Sequence, residues 1–216
     1  SVVPWAKPVN IGGHVYDMQI TDINIGVIYL LGVASIGVYG IMIGGWASNN
    51  KFALLGAVRA SSQMISYEIA MGIALIALII SSGGSLSLKD IIEGQDKGFA
   101  NIVWQPLGFL IFFICALAET NRAPFDLPEC ETELVGGYHT EYSSMKLGFF
   151  LFAEYVNMFI SSTIIATLFF GGYNYPFYDT VATAVGLNAA AILGVVVLFA
   201  KIFFFIFFFM WVRWTL

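Results

Sequence analysis

The chain has 216 residues, 59% of them hydrophobic and only 11% charged, with 20 phenylalanines and a formal net charge of −5. A soluble domain is nearer half apolar and a quarter charged, so the excess and the long apolar runs that carry it exclude that class. The missing basic footprint excludes a nucleic-acid partner, and an outer-membrane barrel would need short alternating segments that do not occur.

The composition therefore predicts an all-α, polytopic transmembrane helical bundle, with residues 1–216 forming one transmembrane domain. Residues 1–22, "SVVPWAKPVNIGGHVYDMQITD", carry turn formers and read as a loop following a helix that lies before residue 1. The chain begins with Ser1, not Met, and stops at "WVRWTL" directly after an apolar run, so a fragment of a longer protein is expected. No cleavable signal pattern opens it.

About five segments pass the length test of roughly 20 apolar residues for a spanning helix. They fall at about 23–46, 62–82, 103–122, 146–170 and 186–211. In the first, Gly40 and Gly44 make a GxxxG, which ordinary close packing of helices explains. Gly83–Gly84 are expected to end the second span. Pro106 suits the first turn of the third, and Pro124 should end it. Trp211, Arg213 and Trp214 close the fifth as an interfacial anchor.

Basic residues in short loops set the orientation. Lys51, Arg59, Arg122, Lys146 and Arg213 fall on one side, against Lys7, Lys89 and Lys97 on the other. The richer side is read as cytoplasmic, which places an acidic loop at about 119–145 there and residue 1 outside. The two cysteines, Cys115 and Cys130, form neither a disulfide framework nor a thiolate metal cage. His14 and His139 lie in separate loops, which excludes a haem held by paired intramembrane histidines of this chain. No metal site is expected. No internal repeat is visible, which argues against a self-contained secondary transporter.

Ionisable residues also occur inside the apolar runs: Glu68 in "SYEIAMGIALIALII", Glu154 in "FLFAEYVNMF" and Lys201 in "LFAKIFFF". Each costs roughly 2.5–3.5 kcal/mol at mid-bilayer on insertion scales, so a protein or water interior is the expected surrounding. Glu68 lies near the start of its span and is able to reach the interface, and the long stem of Lys201 can snorkel. Glu154 is followed by Asn157 and Ser161 at i+3 and i+7, a polar stripe on one helix face. Such a stripe means a wet path or a polar helix contact, and the path is the preferred reading. Glu119 joins this set at the end of the third span, with Arg122 at i+3 as a pairing partner.

The stretch "AETNRAPFDLPECETELVGGYHTEYS" gathers Glu119, Asp126, Glu129, Glu131, Glu133 and Glu141 between two apolar runs. Part of this acidity is helix chemistry: "DLPE" reads as a helix start with Asp126 as N-cap and Glu129 in the capping-box position. Glu133 at i+4 from Glu129 is a like-charge pair, so capping leaves Glu131, Glu133 and Glu141 unexplained. Leu134, Val135 and Tyr138 beside them suggest an ordered loop docked onto another polypeptide, rather than a solvated acidic face.

This stretch, followed by "MKLGFFLFAEY", resembles the signature of the NADH dehydrogenase subunit 1 family. These proteins are the membrane-arm H subunits of proton-pumping NADH:quinone oxidoreductase, respiratory complex I. The segment "LLGAVRASSQMISYE" matches the family's preceding loop and helix entry, and "FFFMWVRWTL" its later helix, so the resemblance covers essentially the whole chain. The five spans would be the family's third to seventh.

The resemblance implies a protein that forms part of a quinone cavity and couples quinone reduction to proton translocation. It implies no cofactor bound by this chain, flavin mononucleotide and iron–sulfur clusters in partner subunits, and quinone as substrate. Carried over by motif, Glu119, Asp126, Glu129, Glu131, Glu133 and Glu141 are coupling acids of the loop. Glu68 and Glu154 are glutamates of a buried polar funnel, and Arg59 and Arg122 stand beside the cavity. The quinone head-group ligands belong mainly to a neighbouring polypeptide. The location implied is the bacterial inner membrane, or the mitochondrial one if the gene is organellar. Two rival readings remain: a membrane anchor of a homologous hydrogenase-type complex, and an autonomous proton or cation channel.

Overall fold

A computed structural model describes residues 2–12, 14–96, 100–121, 125, 136–175, 178, 183 and 186–215. Helices dominate them: α1 Gly26–Ala47, α2 Lys51–Ser81, α3 Leu88–Asp96, α4 Asn101–Trp104, α5 Pro106–Glu119, α6 Ser144–Phe169 and α7 Leu187–Thr215. A small antiparallel hairpin, β1 Val9–Ile11 with β2 His14–Tyr16, precedes α1. Among the described residues α1, α2, α6 and α7 are long and apolar enough to cross a membrane, and α5 is a shorter apolar helix. The chain is a polytopic helical membrane protein.

Two of the expected spans need correcting in extent. α2 runs for 31 residues and starts at Lys51, well before residue 62. At 1.5 Å per residue that is about 46 Å, against a hydrocarbon core of about 30 Å. The excess lies at its charged end, from Lys51 to Arg59. The third span is shorter than expected: α4 and the 14-residue α5 are separated at Gln105. Pro106 opens α5 as anticipated, because a proline in the first turn removes no helical hydrogen bond. α5 then ends at Glu119, with Asn121 at φ +49, before Pro124 is reached. Pro124 itself lies outside the described residues.

Gly83 and Gly84 stop α2 as the sequence suggests. Both have positive φ, and the Gly84 amide donates to the Ile79 carbonyl at 2.9 Å, the long bond of a Schellman cap. The short helix α3 follows. It buries Leu88, Ile91 and Ile92, one face at i, i+3 and i+4, and Ser85 Oγ donates to Asp90 at 2.7 Å beside its start.

The described chain divides into two compact units. The first comprises residues 1–30, 76–109 and 162–207, and the second 31–75, 110–161 and 208–216. Within the first unit Phe109 packs edge-on against Phe169 and Phe170 at 5.5 and 5.7 Å. In the second, Phe113 stacks on Phe209 at 5.1 Å with the rings 5° apart.

Lys201, in the first unit, is a clamp. Its Nζ donates to the carbonyls of Phe170, Gly172 and Asn174 at 2.7, 2.8 and 2.7 Å. An ammonium group has three donors, and all three are used on the backbone that leaves the C-terminus of α6. The side chain thus satisfies carbonyls that a helix end would otherwise leave bare. Lys201→Met should cost about 1.5–3 kcal/mol by removing a part-buried charge-assisted network. The fall in the thermal midpoint of the detergent-solubilised protein checks this.

Candidate functional site

The sequence-derived acids that are described fall in the second unit. α2 supplies Arg59, Gln63 and Glu68, α5 ends in Glu119, and α6 supplies Glu154. What brings α1, α2 and the loop together is a run of small residues on α2. Ala53, Ala57 and Ala60 are fully buried at helical spacing. Gly45 of α1 sits so close that an added Cβ would collide with the Ala57 Cβ, and it would lie 2.9 Å from the Ala53 carbonyl oxygen. A Cβ on Gly56 would meet the Gly137 backbone at 3.1 Å. The GxxxG of α1 therefore accounts for only part of the packing. Gly44 packs against the Phe150 ring and Gly45 against α2, whereas Gly40 has no atom within 4 Å of its added carbon.

Glu119 is buried, with 7% exposure, at the end of α5. Its carboxylate interacts electrostatically with that of Glu68 on α2. Glu68 is half-buried, and its Oε1 is closed off from solvent with no hydrogen-bond partner among the described residues. Two carboxyl groups, one from α2 and one from α5, share this poorly solvated region. Beside them Gln63 Nε2 donates to the Ala118 carbonyl at 3.1 Å and to the Phe125 carbonyl at 2.9 Å. One amide thus joins α2, the end of α5 and the entry to the acidic loop. Phe125 also packs its ring edge-on against Tyr67 at 5.3 Å.

Glu154 lies at a second place in the same unit. Gly136 and Gly137, at φ +118 and +68, permit a tight bend that leads into a 3₁₀ turn over Gly137–His139. The turn delivers Tyr138 Oη to Glu154 Oε1 at 3.2 Å, and His139 Nε2 stands 3.9 Å from the same oxygen. Burial pushes the His139 imidazole below its ordinary value, which favours its neutral form. Tyr138 is 1% exposed and stacks on His139 at 3.9 Å. That corrects the expectation for Tyr138: it is buried within this chain and unavailable for docking onto a partner. Asn157, one turn beyond Glu154, faces Gly37 of α1, its Nδ2 3.9 Å from where a Cβ would stand.

Glu141 stands apart from Glu68, Glu119 and Glu154. It is exposed and accepts a hydrogen bond from Asn50 Nδ2 at 2.7 Å, while Asn50 Oδ1 caps the Phe52 amide at the start of α2. A carboxylate beside a helix N-terminus is electrostatically favoured there. Arg59 is half-buried on the α2 face that continues through Gln63 and Tyr67. Asp126, Glu129, Glu131, Glu133 and Arg122, with the expected helix start at "DLPE", lie outside the described residues.

Apolar helices that carry a buried acid on α5 and half-buried acids on α2 and α6 are thus the chain's distinguishing feature. The NADH dehydrogenase family profile matches residues 1–216, the whole chain. This chain belongs to the NADH dehydrogenase family. The NADH-quinone oxidoreductase H subunit of Flavobacterium johnsoniae is 63% identical over 216 residues, covering 100% of this chain and 61% of the relative. In Cytophaga hutchinsonii the H subunit numbered 1 is 61% identical over 216 residues, 100% of this chain and 62% of its own length. NADH-quinone oxidoreductase subunit 8 of Rhodothermus marinus is 53% identical over 223 residues, again 100% of this chain and 62% of its own length. The chain spans about three fifths of these curated relatives.

In this NADH dehydrogenase family chain the site also contains Gln63, Tyr138 and His139, to which sequence reasoning gives no role there. Gln63 had a usable signal: with Arg59 and Tyr67 it continues one polar-to-amphipathic face at i, i+4 and i+8. Tyr138 and His139 had none, because a buried tyrosine and a docking tyrosine look alike in sequence.

Proposed function

We propose that this chain is part of the membrane-arm H subunit of a proton-pumping NADH:quinone oxidoreductase, complex I, in which it couples quinone reduction to proton translocation. The observation that carries the reading is the set of carboxylates withdrawn from solvent in the second unit, Glu119 buried and Glu68 and Glu154 half-buried. Glu119 and Glu68 interact across two helices, and Glu154 is bonded to the turn that closes the acidic loop. Family membership over the full chain supports the assignment to that complex.

In this reading the chain breaks no bond of the substrate. Its apolar helix faces form walls for the isoprenoid tail of a quinone, whose head group is held mainly by a neighbouring polypeptide. Flavin mononucleotide and iron–sulfur clusters reside in the hydrophilic-arm partners and supply the electrons. Reduction of quinone alters the order of the acidic loop and the protonation of its carboxylates. The change passes inward through Glu119 and Glu154 towards the membrane axis. Asp126, Glu129, Glu131, Glu133 and Glu141 are the outer coupling acids, Glu68 extends the inner set, and Arg59 and Arg122 stand beside the cavity. The setting is the bacterial inner membrane, with other membrane-arm proteins of the complex as neighbours.

Glu154→Gln keeps shape and removes the charge. In the assembled complex it should leave subunit content unchanged and lower NADH-driven quinone reduction by about tenfold, below the usual range for losing a proton-transfer group outright. A wild-type rate of quinone reduction with full proton pumping would refute the role. A hydrogenase-type anchor is separated by co-purification: an NADH-oxidising flavin subunit supports complex I, and a nickel–iron hydrogenase overturns it. Proton transport by the purified chain alone in liposomes would favour the autonomous channel.

A further inference from the structure

We propose that Tyr138 is a positioning residue for Glu154, the group through which the acidic loop is mechanically joined to the intramembrane carboxylate. The inference rests on the coupling function proposed above and adds a residue that the loop acids do not supply.

The hydroxyl of Tyr138 donates to Glu154 Oε1 at 3.2 Å, long for an O–H···O bond and so easily lengthened or tightened by a small shift of the turn. Aromatic neighbours hold the ring. His139 stacks against it at 3.9 Å with the planes 18° apart, and Phe150 of α6 meets it edge-on at 5.7 Å. The turn that carries it rests on Gly56 of α2, where an added Cβ would stand 3.1 Å from the Gly137 backbone and the Tyr138 nitrogen. On the far side of the turn Tyr142 Oη donates to the Gly44 carbonyl of α1 at 2.7 Å, and its ring packs on Phe150 at 4.9 Å. The turn is thus braced by α1, α2 and α6 at once, and the Tyr138 hydroxyl links it to an ionisable group of α6.

Such a bond has a directional consequence. A hydroxyl that donates to one carboxylate oxygen fixes the orientation of the Glu154 side chain when near and releases it when withdrawn. Movement of the turn over residues 136–142 is therefore converted into a change in how the Glu154 carboxylate is held. Tyr138 itself neither touches quinone nor moves a proton. His139, stacked on the ring, holds its plane.

The test is a double-mutant cycle in the membrane-embedded, assembled complex, with a short-chain water-soluble quinone as probe and reduction of an artificial acceptor as the measure of complex content. Tyr138→Phe should lower kcat for quinone reduction by about tenfold, the loss of a hydrogen bond to a charged group, with KM unchanged. In a Glu154→Gln background the same substitution should cause little further loss, because glutamine keeps an acceptor oxygen but lacks the charge whose position the hydroxyl fixes. A wild-type kcat for Tyr138→Phe alongside an impaired Glu154→Gln overturns the inference and leaves the coupling function standing. Losses that multiply in full across the two variants overturn it too. Wild-type turnover for Glu154→Gln removes the coupling role of Glu154 and the inference with it. Should Tyr138→Phe not assemble, 3,5-difluorotyrosine at position 138 keeps ring and hydroxyl but strengthens the donor. A changed kcat then supports the assignment, and an unchanged one overturns it.

Discussion

Glu119→Gln in the assembled complex is expected to cut NADH-driven quinone reduction by at least about tenfold, while reduction of a water-soluble artificial acceptor stays at the wild-type rate. The size follows from the position of Glu119. The side chain is 7% exposed, so water does little to screen it, and its neighbour Glu68 carries the same sign. Glutamine keeps the shape and the hydrogen-bonding capacity, so packing at the end of α5 is retained while the charge is lost. A purely structural Glu119 would leave turnover untouched or reduce both activities together through loss of complex. Glu68→Gln should act in the same direction. If the two carboxylates work as a pair, the double variant should lose less than the product of the two single losses.

Gly45→Leu should have the larger effect on assembly. The added side chain would start from a Cβ already in collision with Ala57 and close to the Ala53 carbonyl, and both of those residues are fully buried. Neither can yield unless the α2 backbone moves. Overpacking in cores typically costs about 1–3 kcal/mol, and membrane helices that rely on close backbone approach have no hydrophobic drive to offset it. Displacing α1 also disturbs Gly44, which receives Tyr142 and packs on Phe150 beside the Glu154 site. Native-gel analysis should therefore show little or no assembled complex for Gly45→Leu and a reduced amount for Gly45→Ala. Gly40→Ala, with open space at the added carbon, should assemble normally.

The long helices were legible because a bilayer demands about 20 apolar residues, and little else produces such runs. Their punctuation was legible for the same kind of reason: Gly83–Gly84 supply positive φ, and Pro106 tolerates a first turn. α3 escaped because nine residues with three buried aliphatics make a weak pattern beside 20-residue spans; the S-x-x-D start at Ser87–Asp90 was the available signal. The hairpin of β1 and β2 escaped similarly, although glycines between short β-prone runs are its usual mark. α2 was misjudged at its start, since Lys51 and Arg59 fall below the hydropathy test while remaining sound helix formers.

The site was legible as chemistry more than as geometry. Glu68, Glu119 and Glu154 announce themselves by sitting in apolar sequence. That Glu119 interacts with Glu68 across two helices, that Glu141 turns outward to Asn50, and that Lys201 clamps a chain reversal 27–31 residues away are all tertiary facts. Local pattern holds no information about them. Gln63 shows the limit most clearly: its amide bridges two carbonyls 55 and 62 residues further along the chain.

The most direct measurement is lumen acidification and quinone reduction followed together in sealed vesicles holding the assembled complex, wild type against the Glu68→Gln, Glu119→Gln double variant. The account predicts that both signals collapse together while artificial-acceptor reduction persists. Quinone reduction and proton translocation at wild-type rates without those two carboxylates would contradict it.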